Sequence, residues 1–218
     1  MNEKEPLKHI PARCVLVCVG LTIMAFGVAF SIKASLGTSP ISSVPYVTSS
    51  ISGLSVGTTT IIMNCIFVLI QIMLLRSRFE WFQLLQIPAS FLFGAMIDVG
   101  EAAIGGISCS NYLQQWILCV IGIFLVALGV SIEVMAKLIT NAGEGVVLAI
   151  CKLVPVKFGN MKVVFDVTLV TISVVTGLLV LGRLEGVREG TVAAAVCVGL
   201  VAKQLAKPVS RFEQKYLA

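Results

Sequence analysis

Apolar and polar positions alternate along this chain in long blocks rather than residue by residue. The apolar blocks are residues 13–34, 56–75, 84–103, 112–135, 162–181 and 191–206. Each reads as a helix suited to a hydrocarbon core of about 30 Å. Two shorter blocks break the rule. Residues 35–53 (SLGTSPISSVPYVTSSISG) are too polar to face lipid and too apolar for an ordinary loop. Within them Gly37-Thr38-Ser39-Pro40 reads as a helix start, a Ser or Thr cap followed by Pro at the first helical position. From Pro40 to Ser52 a helix would be roughly 20 Å long, too short to cross. Residues 141–153 form a second such block after the fourth span. Backbone that stops part-way through a bilayer survives only where protein or water lines it.

A constant displacement of 102 positions relates the two halves. Gly20 meets Gly122, Gly27 meets Gly129, Thr38 meets Thr140, Ser39 meets Asn141, Gly57 meets Gly159 and Asn64 meets Asp166. After three extra residues near Arg76 the displacement becomes 105, so that Gly94 meets Gly199 and Asp98 meets Lys203. One displacement that matches glycines, cap positions and a mid-helix polar site points to an internal duplication. If neither short helix crosses, each half holds three spans, an odd number, and the second half lies inverted. The expected fold class is therefore all-α: a polytopic membrane helix bundle with six spans, two short re-entrant or broken helices and two inverted repeats. The expected organisation is a cytoplasmic tail (1–12), repeat 1 (13–104), an external loop (105–111), repeat 2 (112–207) and a second cytoplasmic tail (208–218).

Composition agrees with a membrane protein. Hydrophobic residues make up 57% and charged residues 12% of the chain, against about 25% charged in soluble domains. The net charge of +5 reads as membrane topology, not as nucleic-acid binding. With the N-terminus inside, all but Lys33, Arg183 and Arg188 of the 16 Lys and Arg face the cytoplasm. Eight crossings would move Arg76, Arg78 and Lys137 outside, so the positive-inside rule favours six. The short mixed-charge N-terminal segment before a full span carries no expected cleaved signal. Seven cysteines lie mostly within apolar runs, without a C-x-x-C, and read as small buried hydrophobes. The one histidine, His9, sits in the tail. A His-based metal site has nothing to build on, and no metal or cofactor is expected.

Candidate chemistry follows from polar groups placed where lipid would exclude them. Thr38, Ser39, Ser42 and Ser43 begin one short helix, and Thr140, Asn141 and Glu144 begin the other. Free N–H groups at such starts attract anions or carbonyl oxygens. The alternative is plain capping, with Asn141-x-x-Glu144 as an Asn-led capping box. Asn64 and Asp166 occupy equivalent positions inside spans, and an acid within a membrane helix is a functional-site hypothesis by default. Lys162, one turn before Asp166, could instead pair with it. Glu133 is spaced to pair with Lys137, or to act with Glu144 in a proton- or cation-linked step. Asp98 and Glu101 read as interfacial and solvated. The 183–189 loop reads as a self-neutralised external turn or as a gate. Ala25-x-x-x-Ala29 forms a small-residue stripe that packs in the bundle or docks another subunit. The substrate-binding candidates are Thr38, Ser39, Ser42, Asn64, Asn141 and Glu144; the ion- or proton-coupling candidates are Asp166 and Glu133. No P-loop, Rossmann glycine pattern, HExxH or GxSxG occurs, and no enzyme activity is expected.

Leu36-Gly37-Thr38-Ser39-Pro40, Leu85-Gln86-Ile87-Pro88 with Phe93-Gly94 and Asp98, Gly143-Glu144-Gly145, and the run from Arg183 to Thr191 with Gly199 resemble the YczE/YyaS/YitT family of bacterial membrane proteins. The likeness spans nearly the whole chain. It implies a multi-pass protein of the bacterial plasma membrane, without supplying a substrate. Related members often carry an aromatic-acidic pair after the Pro, where this chain has Ile41-Ser42.

Inverted repeats with interrupted helices are a recurrent transporter architecture. The expected function is a small-solute transporter or permease, with a polar cavity between the repeats and both termini cytoplasmic. The alternatives are a substrate-binding subunit of a larger transport complex and a membrane scaffold or regulator. Expected partners are the lipid bilayer, an unidentified small solute, and a second copy or a membrane partner subunit.

Overall fold

The computed structural model describes residues 10–216, with side chains placed through residue 205. The tail charges Lys4 and Lys8 and the lone His9 lie outside the described residues, as do the side chains of Lys207, Arg211 and Lys215. Among the described residues the regular structure is helical: α1 (Ile10–Ala34), α2 (Pro40–Ser52), α3 (Val56–Leu75), α4 (Gln86–Ala103), α5 (Tyr112–Ala136), α6 (Ala142–Leu153), α7 (Phe158–Thr176) and α8 (Glu189–Tyr216). Short 3-10 turns join α3 to α4, and a π turn, Gly177–Leu181, extends α7. Five helices are long and apolar enough to cross a membrane, built on α1, α3, α4, α5 and α7. The sixth expected run, 191–206, falls in α8. That helix starts at Glu189 and runs on to Tyr216, beyond the end of the apolar stretch.

The two short helices begin as local chemistry dictates, with one correction each. Ser39 is extended (φ −60, ψ 153) before Pro40. Its hydroxyl does not cap the backbone, however; it donates to Ser42 Oγ at 3.0 Å. Gly53 ends α2 in the left-handed region at φ 73, its N–H on the Ser49 carbonyl. In α6, Asn141 Oδ1 accepts from the Gly143 N–H at 3.4 Å. Among the described residues the reciprocal half of the expected capping box, a bond from the Asn141 N–H to the Glu144 carboxyl, is not present. The expected Glu133–Lys137 helical spacing also changes. α5 stops at Ala136, and Lys137 is left-handed at φ 51.

α1 and α5 form the centre. They run antiparallel, with Gly20 against Gly129 and Gly27 against Gly122. A Cβ on Gly129 would lie 2.6 Å from the Gly20 carbonyl oxygen, and one on Gly122 2.8 Å from that of Gly27. The backbones meet directly, as small residues allow between membrane helices. Ala25 and Ala29 are fully buried, and Ala29 packs on Gly100 of α4. That stripe is used inside the bundle. α4 covers α1, and α8 covers α5.

Each short helix is held by a long helix from the other half. α6 lies on α3, where the Gln71 amide donates to the Ala142 carbonyl at 3.0 Å and to Gln86 Oε1 at 2.9 Å. α2 lies on α7, where the Ser173 hydroxyl donates to the Ser43 carbonyl at 3.1 Å. The outer helices differ. α3 and α4 pack tightly through Gly57 and Gly94. α7 makes no comparable seam with α8, and much of it, including Val163, Val164 and Val167, is exposed.

Candidate functional site

The starts of α2 and α6 converge. The Ile41 side chain reaches Gly143, where a Cβ would collide with it, and a Cβ on Gly145 would lie 2.5 Å from Gln71 Oε1. The glycines on either side of Glu144 thus let α6 approach α2 and α3 closely enough to place that acid at the helix start. Beside these starts lies a cavity of about 270 Å³. Its polar lining is Ser39, Asn141, Glu144, Lys162 and Asp166. Its apolar walls come from Met24 of α1, Val126 and Val130 of α5, Phe158 of α7, and Ala194, Val198 and Ala202 of α8.

Two helix starts facing one cavity bring free N–H groups and the positive ends of two dipoles to it. Lys162 Nζ pairs with Asp166 Oδ1 at 2.5 Å. Glu144 feels both members of that pair. The cavity therefore presents donors, one ammonium and two carboxyl groups within an apolar shell. It can bind a small molecule carrying complementary polar groups on an apolar body. Among the described residues no group of three or more His, Cys, Asp or Glu is placed to hold a metal ion.

A second, far smaller cavity of about 10 Å³ is lined by Asn64, Gln86, Ser90, Glu133, Thr140 and Asn141. That volume is about one water molecule. Asn64 and Glu133 are both buried, at 6% and 5% exposure, and Asn141 lines this space and the large cavity alike. Two further cavities open at opposite ends of the bundle. One, of about 350 Å³, holds Glu80, Gln83, Gln86, Glu133, Lys137 and Thr140. The other, of about 420 Å³, holds Ser31, Ser35, Thr38, Tyr46, Arg183, Glu185 and Arg188. The charges of the 183–189 loop are internally matched there, with Arg183–Glu185 at 3.2 Å and Arg188–Glu189 at 3.1 Å.

The expected site residues are thus distributed. Ser39, Asn141, Glu144 and Asp166 come together in the large cavity. Asn64 and Glu133 line the small one. Thr38 lines the cavity of about 420 Å³, donating weakly to the Gly186 carbonyl at 3.4 Å. Ser42 is buried against Ser39. Asp98, expected as a solvated interfacial acid, is half-buried, and its oxygens accept from the Gly57 N–H at 2.8 Å and the Ser55 hydroxyl at 2.7 Å. Sequence reasoning did not foresee the buried Gln71–Gln86 amide pair. Its only signal was a glutamine within each of two apolar stretches.

Among the described residues the bundle is all-helical, with five helices of membrane-crossing length, and this defines the class: a polytopic helical protein suited to a lipid bilayer. The chain belongs to a family of unknown function (DUF6198), whose model matches residues 11–207. It is similar to the uncharacterized protein YyaS of Bacillus subtilis (strain 168), with 28% identity over 120 residues, 55% of this chain and 58% of the relative. The match thus spans little more than half the length of that relative. No solved structure matches the chain.

Proposed function

We propose that this is a small-solute transporter of the bacterial plasma membrane, made of two inverted repeats that alternate about a central site. Several features support the duplication. Helix starts recur at a spacing of 102 residues: Pro40 and Ala142, Val56 and Phe158. The α1–α5 contact is self-complementary, since Gly20 meets the repeat mate of Gly27 and Gly27 meets the repeat mate of Gly20. A twofold relation between the halves has this property. Gln71 and Ser173 are mates too, and each holds the short helix of the opposite half. The two outer cavities also match, Thr38 with Thr140, Ser35 with Lys137 and Glu185 with Glu80.

One observation carries the transport reading. The 10 Å³ and 270 Å³ cavities are lined by repeat-equivalent residues: Asn64 and Asp166, Ala89 and Ala194, Ser90 and Ala195, Phe93 and Val198. The same site is collapsed in one half and open in the other. A scaffold has no use for such an asymmetry, whereas a transporter that exchanges the two arrangements exposes its site to each side in turn. Ser39, Asn141 and Glu144 contact the solute at the shared helix starts. Asp166, with Glu133 behind Asn141, serves the coupling ion. With the N-terminus cytoplasmic, the open cavity faces inward.

The test is access. Single cysteines replace Ser90 and Ala195 in a chain stripped of its native ones, and a membrane-impermeant maleimide is applied to either face of proteoliposomes. Labelling of Ala195→Cys from one face and of Ser90→Cys from the other is the expected result. Currents on a solid-supported membrane, evoked by a panel of amino acids, amines and nucleobases, then identify the solute. One-sided labelling at both positions with no current from any member removes the reading.

A further inference from the structure

Asp98 closes one seam of this molecule, and its counterpart across the duplication is a lysine. On the closed side, the carboxylate of Asp98 on α4 takes the Gly57 N–H and the Ser55 hydroxyl, 2.8 and 2.7 Å away. It sits on the free donors at the start of α3, where the helix end favours a negative charge. Gly57 and Gly94 let the two backbones meet beside it. A Cβ on Gly94 would lie 2.5 Å from the Gly57 carbonyl oxygen.

In the second half these four positions are Lys157, Gly159, Gly199 and Lys203. The glycines are kept, while the hydroxyl and the acid both become lysines. Among the described residues, nothing lies within 4 Å of the place a Cβ would take on Gly159 or on Gly199. Lys157 caps α7 without a side-chain bond, and Lys203 is exposed. An ammonium donates and cannot accept, so neither lysine can satisfy the N–H groups at the start of α7. Two ammonium groups brought to one seam also repel each other. The backbone contact that shuts the first seam is available to the second, but the acceptor that would hold it is missing.

We infer that Asp98 latches the α3–α4 mouth shut while Lys157 and Lys203 hold the equivalent α7–α8 mouth open, so that this charge difference sets which way the empty cavity faces. The inference rests on the duplicated-transporter reading for its functional meaning. Closure of the open mouth must then be driven by what binds in the cavity, which touches α7 through Lys162 and Asp166 and α8 through Ala194 and Val198.

Paired spin labels in a cysteine-free chain in lipid nanodiscs test this without any transport assay. One pair, at Ile62 and Val99, spans α3–α4. The other, at Asn160 and Val196, spans α7–α8. All four side chains are exposed. Lys157→Ser combined with Lys203→Asp transfers the latch, and the 160–196 distribution gains a shorter population absent from the parent. Asp98→Lys moves the 62–99 distribution to longer distances, and Asp98→Asn, which keeps one acceptor oxygen, moves it less. The lysine pair is solvent-exposed, so the double variant folds and decides the matter alone if Asp98→Lys does not. An unchanged 160–196 distribution in a monodisperse double variant that melts like the parent overturns the inference. If the distances respond but no solute crosses proteoliposomes, the latch stands and the transport reading falls. If solute crosses and the distances ignore the charges, the reverse holds.

Discussion

Ile41 of α2 lies directly against Gly143 of α6, and through that contact the two short helices meet start to start. A Cβ on Gly143 would collide with the Ile41 side chain. Gly143→Leu should therefore destabilise the fold by about 1–3 kcal/mol, the usual cost of overpacking. Gly143→Ala should do less harm, and adding Ile41→Ala should recover most of the loss. Thermal unfolding in one fixed detergent measures the series. Additive effects of the two substitutions would mean that the contact does not couple the helices.

Gln71 is fully buried, with an amide that serves both Gln86 and the Ala142 carbonyl. Gln71→Leu leaves two buried polar groups without their partner, at about 1–3 kcal/mol for each. Ser173, which holds the other short helix, makes one neutral bond to the Ser43 carbonyl, so Ser173→Ala should cost only about 0.5–1.5 kcal/mol. Gln71→Leu with Gln86→Leu should be milder than Gln71→Leu alone, because one orphaned amide is removed. Relative melting temperatures decide the ranking.

The lipid-length helices and both short ones are legible in the chain because each is set by local chemistry. Hydropathy marks the spans, and Ser39-Pro40 and Gly53 mark the ends of α2. What sequence left open depends on the third dimension. Nothing local says whether Ser39 and Asn141 point to the centre or to the surface; the touching of Ile41 and Gly143 decides that. Asp98 reads as a solvated acid because its partners, Ser55 and Gly57, are more than 40 positions away. The seams are the clearest case. Gly159 and Gly199 match Gly57 and Gly94 in sequence, yet one pair touches and the other stands in open space. A residue pattern records that two surfaces can meet and not whether they do.

That contrast yields opposite outcomes for one substitution. Gly94→Ala should destabilise, by about 1–3 kcal/mol, since its Cβ meets the Gly57 carbonyl and Ile61. Gly159→Ala and Gly199→Ala should be neutral or stabilising by up to about 1 kcal/mol, because they gain helix propensity in open space. If the α7–α8 mouth has to close during the cycle, those same two variants should lose solute uptake despite their stability. A stable Gly199→Ala variant with parental uptake would mean that this seam never shuts through its glycines.

Lys162 and Asp166 form the one close ion pair of the large cavity, and a double substitution separates its two readings. Asp166→Asn alone should reduce uptake at least tenfold under either reading, because it frees the Lys162 ammonium toward Glu144. If the pair is only structural, Asp166→Asn with Lys162→Met removes both charges and should restore uptake toward the parental rate. If Asp166 carries the coupling ion, the double variant lacks the carboxylate that binds it in the large cavity. Uptake against a gradient should then stay abolished while exchange of labelled for unlabelled solute survives. Counterflow and gradient-driven uptake in the same proteoliposomes therefore read the two roles apart. Parental gradient-driven uptake in the double variant would remove Asp166 from the coupling step and leave Glu133 and Glu144 as the acids to pursue.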